Sequence, residues 1–102
     1  MPLAITEKQF EAQVKDLAKI FGWLYYHTWR SIHSPAGFPD VVMVRQGRLI
    51  FAELKSEKGK LSDKQQEWID ALRDGQKFAP MPNWEVYAWR PHQIEEIAEI
   101  LR

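Results

Sequence analysis

The stretch "GFPDVVMVRQGRLIFAELKSEKGKLSDKQQEW", residues 37–68, decides how this chain is read. Two apolar runs, 38–44 and 49–55, flank the short segment Arg45-Gln46-Gly47-Arg48. Runs rich in Val, Ile and Phe on either side of a two-residue turn predict a β-hairpin. Pro39 belongs near the start of its strand, because it has no N–H to give to a ladder. Val42 and Val44 point one way and Val41 and Met43 the other, so both faces are apolar. Such strands are predicted to lie centrally in a sheet covered on both sides. If Gln46 and Gly47 form the turn, Arg45 opposes Arg48, Val44 opposes Leu49, Val42 opposes Phe51 and Asp40 opposes Glu53. Directly opposed residues share a face, with Cβ atoms ~5 Å apart. Glu53 and Lys55 also share a face, because a strand has a period of two. Provided no bulge shifts the register, Asp40, Glu53 and Lys55 gather at the open end of the hairpin, among residues that otherwise read as core.

Outward from the hairpin the elements follow in turn. Residues 6–23, "TEKQFEAQVKDLAKIFGW", read as an amphipathic helix. Thr6 with Gln9 three residues on forms a capping box. Phe10, Val14, Leu17, Ala18 and Phe21 recur at helical spacing, and Gly22 is the predicted stop. "WLYYHTW", residues 23–29, is aromatic and reads as a strand, and "RSIHSPAG", residues 30–37, as a loop. After the hairpin, "SEKGK" is a charged loop. Ser62 caps a helix over 63–75, closed by Gly75, with Trp68, Ile69 and Leu72 as its apolar stripe. "KFAPMPN" is a loop and "WEVYAW", residues 84–89, a strand. A last helix spans 91–102, with Pro91 in its first turn. The predicted order is α-β-β-β-α-β-α, an α/β fold without internal repeat or linker.

Composition limits what this fold can be used for. The 102 residues suffice for one domain, 1–102, and 45% are hydrophobic, enough for a core. Lys plus Arg and Asp plus Glu number 14 each, so the net charge is zero. A nucleic-acid surface would have to arise from local clustering of charge. With no Cys, disulfides, zinc–thiolate sites and thiol catalysis are excluded, and the composition suits a reducing cytoplasm. The N-terminus has neither the basic nor the apolar region of a signal peptide. No apolar run approaches the ~20 residues of a membrane helix.

Two carboxylates at Cβ contact distance repel unless a cation lies between them or one takes up a proton. Hard divalent cations prefer carboxylate and water oxygens. A bound metal lowers the pKa of a water, polarises a phosphoryl oxygen and steadies a leaving group. A lysine alongside can orient the attacking water or stabilise charge building on the phosphate. The set suits phosphodiester hydrolysis.

At these residues a family resemblance enters. "PD" at 39–40 with "ELK" at 53–55 resembles the PD-(D/E)XK nuclease motif. The longer pattern is similar to the VRR-NUC (virus-type replication-repair nuclease) branch: a Gly before PD, an E-x-K, then G-x-L-S-x-x-Q-x-x-W. Gly59, Leu61, Ser62, Gln65 and Trp68 stand at the matching positions, and the likeness covers nearly the whole chain. The resemblance implies a PD-(D/E)XK nuclease core, a central mixed sheet flanked by helices. It also implies Mg²⁺- or Mn²⁺-dependent endonuclease activity on DNA. Within it, Asp40, Glu53 and the Leu54 carbonyl would hold the metal, Lys55 would be the catalytic lysine, and Gln65 would support the site. The family's acid on the first helix, reaching the metal directly or through water, would be Glu11 or Glu7, which share a face at i and i+4. Glu11 is preferred, because the helix dipole already accounts for an acid in the first turn. With no second domain in the sequence, the resemblance points to the stand-alone phage or prophage type. Such members resemble Holliday-junction resolvases and act as homodimers on branched DNA, in a bacterial or phage-infected cytoplasm.

Plainer readings stand beside these. Asp40 suits a turn, and Glu7 and Glu11 a solvated helix face. His27 reads as a strand residue, His33 as a loop residue and His92 as a structural or exposed helix residue. Lys58, Lys60 and Lys64, with Ser31 and Ser34 and with Arg30, Arg45 and Arg48 in loops and turn, are candidates for DNA phosphate contacts. The Trp residues suit base stacking, but regular elements hold Trp68, Trp84 and Trp89, which favours core packing. The alternatives to a dimeric resolvase-like enzyme are a monomeric flap or nicking nuclease and a non-catalytic branched-DNA binding module.

Overall fold

Gln46 and Gly47 both hold positive φ, 48° and 81°. This is the two-residue turn whose twist matches that of the strands it joins. It connects β2 (Val41–Arg45) to β3 (Arg48–Leu54), with Arg45 opposite Arg48, Val44 opposite Leu49 and Val42 opposite Phe51. No bulge interrupts this ladder, which ends at Val41 opposite Ala52. The structure, a computed structural model, describes residues 4–29, 34–79 and 83–102. The readings of Arg30, Ser31 and His33 fall outside those residues.

Around the hairpin, β1 (Leu24–His27) pairs antiparallel with β2, and β4 (Trp84–Trp89) pairs parallel with β3. The sheet is therefore mixed, in the order β1-β2-β3-β4. A parallel neighbour requires a crossover, supplied by α2 (Asp63–Phe78). The remaining elements are α1 (Glu7–Ile20), a 3₁₀ turn (Pro91–Gln93) and α3 (Ile94–Leu101). The predicted α-β-β-β-α-β-α order is the observed one. No helix among the described residues is long and apolar enough to cross a membrane.

The core lies on one face of the sheet. Phe10, Val14 and Ala18 of α1 and Ile97 and Leu101 of α3 bury Val41, Met43, Ile50, Ala52 and Leu54. Both arms of the Thr6–Gln9 capping box form. Past the end of α1, Trp23 N–H reaches back to Ala18 O at 2.9 Å, a Schellman-type stop at Gly22. The other face is covered less completely than the sequence predicts. There α2 sits over β3 and β4, where Phe38 meets both Phe51 and Trp68 edge-on. Leu24, Tyr26 and Val44 on β1 and β2 remain exposed.

Two expectations need correcting. Gly75 does not close α2, which runs on to Phe78. Instead the Trp84 indole lies against Gly75, where an added Cβ would come within 3.2 Å of the ring. The helix stops at Ala79, extended at φ −85°, ψ 130°, as the residue before a proline prefers. Nor are Arg45 and Arg48 free for phosphates. Arg45 Nη1 donates to Phe21 O and Leu101 O, each at 2.8 Å, and so caps the ends of α1 and α3 together. Arg48 donates through Nε and Nη2 to both oxygens of Glu85 and through Nη1 to Ile100 O. The guanidinium groups of Arg45 and Arg48 lie 4.7 and 5.0 Å from the Trp23 ring centroid. At five residues' remove along β3, this cluster is roughly 16 Å from Glu53.

Removing Arg45 strands two helix-end carbonyls at once. Charge-assisted hydrogen bonds contribute about 1.5–3 kcal/mol each when broken on one side. Arg45→Ala is expected to lower stability by roughly 2–4 kcal/mol, or ten degrees and more of melting temperature. Thermal melts followed by circular dichroism check this, and Arg45→Lys, with a single nitrogen where Arg45 uses two to reach Phe21 O, Leu101 O and Arg102 O, is expected to recover only part of the loss.

Candidate active site

The site is built where the hairpin opens. Gly37, two residues before Pro39, has φ +101°, and a Cβ there would stand 2.4 Å from Lys64 O. Only glycine lets this loop pass against α2 in that conformation. The next residues are thereby set down at the end of the sheet. Thr28 N–H donates to Asp40 O at 2.7 Å, and Thr28 Oγ1 donates to Pro39 O at 2.9 Å. Asp40 lies one step beyond the ladder rather than in it. Its Oδ2 accepts from Leu54 N–H at 2.9 Å, which ties the Asp40 carboxylate to β3.

Glu53 is the buried charged residue of the described chain, 1% exposed. Its Oε1 accepts from Gln65 Nε2 at 3.2 Å, while Oε2 is buried without a hydrogen-bond partner. Gln65 is itself fixed, since its Oε1 accepts from Ser62 N–H in the capping box that starts α2. The G-x-L-S-x-x-Q pattern thus has a physical meaning: the amide that completes the cap also holds Glu53. Burial first, then the Asp40 carboxyl, push the Glu53 pKa up from 4.5 to about 9, with Lys55 acting in the opposite direction. The direction of the shift favours the protonated form of Glu53 where no cation lies beside it.

Lys55 extends from the end of β3, and its N–H donates to Trp89 O at 3.0 Å. Its Nζ lies 4.0 Å from Glu7 Oε1. Glu7 also contributes to the charge felt by Glu53. The Oε2 of Glu11, the helix acid preferred from sequence, lies 3.1 Å from His27 Nε2. The structure therefore brings Asp40, Glu53, Lys55, Gln65 and Glu7 together and sets Glu11 beside them, against β1. Ser34, Lys58, Lys60 and Lys64 are all exposed. Of these, Lys64 pairs with Glu67 at 3.3 Å.

Three features are not apparent from sequence. Glu11 and His27 form a pair across α1 and β1. The Tyr25 hydroxyl is buried without a partner, and burial together with Glu11 and Asp40 raises its pKa well above the usual range. Arg90 Nη1 donates to Ser56 O and Gly59 O, each at 2.6 Å, and to Glu57 O at 3.2 Å. Arg90 thereby closes the loop between Lys55 and α2. The one signal for it in the sequence is its place just after the strand that runs parallel to β3.

No three His, Cys, Asp or Glu side chains among the described residues are gathered as a metal cluster. The candidate set is leaner: Asp40, Glu53 and the backbone carbonyl of Leu54. Mg²⁺ is commonly held by one or two carboxylates, with waters and substrate phosphate completing its shell. The unpartnered Glu53 Oε2 beside Asp40 fits such an ion.

The element order and the hairpin, with Asp40, Glu53 and Lys55 at its open end, fit the arrangement expected of a PD-(D/E)XK nuclease. Comparison with known families narrows this. The VRR-NUC domain family matches residues 9–88, most of the chain, and the chain belongs to that family. Membership supports a nuclease-type, hydrolytic function with DNA as partner. No curated protein matches the chain.

Proposed function

We propose that this domain is a metal-dependent endodeoxyribonuclease that cuts branched DNA as a homodimer. The observation that carries the reading is Glu53. A carboxylate with one oxygen buried and unpartnered, against a second carboxylate, is costly to keep charged, and a divalent cation removes the cost. Asp40, Glu53 and the Leu54 carbonyl would hold Mg²⁺ or Mn²⁺. When bound, the ion lowers the pKa of a water and polarises the phosphoryl oxygen.

The remaining work falls to the chain's own groups. Gln65 holds one Glu53 oxygen and leaves the other free. Lys55 presents a positive charge where negative charge grows on the phosphate as water attacks. In the balanced reaction the water gives up a proton as its oxygen bonds to phosphorus, the bond to the leaving sugar oxygen breaks, and that oxygen gains a proton. Glu7 keeps the Lys55 ammonium over the site. Exposed Lys58 and Lys60, in and beside the loop closed by Arg90, and exposed Ser34 and Lys64 would meet flanking phosphates. The homodimer is supported by the exposed apolar residues Leu24, Tyr26 and Val44 on β1 and β2 and by the small surface of a single copy.

Cleavage of a labelled four-way junction, with duplex and flap controls, in Mg²⁺, Mn²⁺ and EDTA tests this reading. Paired symmetric cuts that need metal are expected. Glu7→Gln is expected to slow cutting by about ten-fold or more, and Glu11→Gln by less, since Glu7 holds the Lys55 ammonium that faces the reacting phosphate and Glu11 pairs with His27. Nicks confined to the flap would favour a monomeric enzyme. A junction that is bound but never cut would leave a binding module.

A further inference from the structure

Four of the five Trp residues have internal partners. Trp23 Nε1 donates to Leu101 O, and Trp84 Nε1 to Leu72 O. Trp68 packs on Phe38, and Trp89 stacks on Tyr87. Trp29 is different. It is 80% exposed, and its aromatic contact among the described residues is the edge of His27, with ring centroids 6.0 Å apart at 62°.

Its location is defined. Thr28, between the two rings, is bonded to both Pro39 and Asp40. His27 is opposite Val41, the residue after Asp40, so both rings stand at the end of the sheet where the candidate site lies. The His27 ring is steadied by Glu11. Glu11 is one helical turn from Glu7, and Glu7 reaches Lys55. Thus Lys55, Glu7, Glu11, His27 and Trp29 follow one another from β3, over α1, to β1. A strand of DNA with its phosphate at Lys55 could pass Trp29 within a few nucleotides.

We propose that Trp29, with His27 edge-on beside it, is a stacking platform for an unpaired base of the DNA next to the Asp40–Glu53–Lys55 site. This rests on the nuclease reading above and adds to it a way of recognising branches. An indole face stacks on a base only where the base's own face is open, which a single-stranded arm or a junction offers and continuous duplex does not. The platform therefore selects for a break in pairing without reading sequence.

The test uses a duplex bearing a single-stranded arm, with 2-aminopurine as its first unpaired nucleotide, in Ca²⁺ in place of Mg²⁺. Binding to wild-type protein is expected to quench the 2-aminopurine fluorescence. Trp29→Ala is expected to lose the quench and to reduce the preference for the armed substrate over the fully paired duplex by about ten-fold. Trp29→Phe keeps most of both. The proposal is overturned if Trp29→Ala retains the quench and the preference, or weakens both DNAs equally. It is also overturned if the change lowers the sedimenting mass while wild type shows no quench, for then Trp29 serves a contact between copies. If wild type cuts DNA in Mg²⁺ or Mn²⁺ but the aminopurine signal fails, the platform alone is wrong. If wild type neither binds nor cuts any of these DNAs, the nuclease reading fails with it.

Discussion

Lys55→Ala is expected to lower the rate of DNA cleavage by roughly 10²–10³-fold, the usual loss when one preorganised charge is removed from a developing anion. The effect should fall on kcat, with KM little changed, because Lys55 acts on charge that appears only in the transition state. The fold should survive. Among the described residues the Lys55 ammonium pairs with Glu7 at 4.0 Å, and the Lys55 backbone N–H bond to Trp89 O does not depend on the side chain. Mn²⁺ affinity should survive too, since Asp40, Glu53 and the Leu54 carbonyl are untouched. Single-turnover cleavage of the junction, alongside a Mn²⁺ titration of the same variant, checks both halves. Loss of metal affinity equal to the loss of rate would make Lys55 a support for the metal rather than for the phosphate.

Glu53→Gln is expected to abolish cleavage and yet to stabilise the metal-free domain at alkaline pH. The Glu53 carboxyl has an ordinary value of 4.5 and is pushed up to about 9 in the fold, chiefly by burial and then by Asp40. A group whose pKa is higher folded than unfolded takes up a proton on folding. Its contribution to stability is complete below about pH 4.5 and is lost as the pH rises through about 9. The metal-free wild type should therefore melt at progressively lower temperature from pH 5 to 9. The Gln variant, neutral throughout and able to keep the Gln65 contact, should show a flatter profile. Near pH 9 it should melt above wild type by about 5 °C or more, the shift that roughly 1 kcal/mol produces in a domain of this size. Added Mg²⁺ should raise the wild-type melting temperature at pH 8 and leave the variant unmoved. Parallel profiles for the two proteins would show that Glu53 is not the strained group. Activity and stability are thus opposed at one residue.

Much of this was legible in the sequence because it depends on local rules. Gln46-Gly47 between two apolar runs sets the hairpin register, and the register brings Asp40 to the end of β3. Thr6 with Gln9 and Ser62 with Gln65 mark helix starts by side-chain reach alone. What was not legible depends on where elements sit against one another. Glu7 and Glu11 lie one turn apart on the same face of α1, and sequence spacing cannot say which turn overlies Lys55. The axial position of α1 on the sheet decides it for Glu7 and leaves Glu11 to His27. Gly75 reads as a helix stop, and only the arrival of Trp84 from β4 shows that it makes room for a ring. Arg45 and Arg48 look like phosphate contacts until the ends of α1 and α3 come to them. Arg90 is distant in sequence from the loop it closes.

The most direct test of the central claim is anomalous diffraction at the manganese edge from crystals of the wild-type domain soaked in Mn²⁺. A peak bounded by Asp40, Glu53 and the Leu54 carbonyl oxygen, absent from Glu53→Gln crystals treated alike, is the predicted result. Mn²⁺ ordered elsewhere on the domain, with the Glu53 carboxyl still buried and bare, would contradict it.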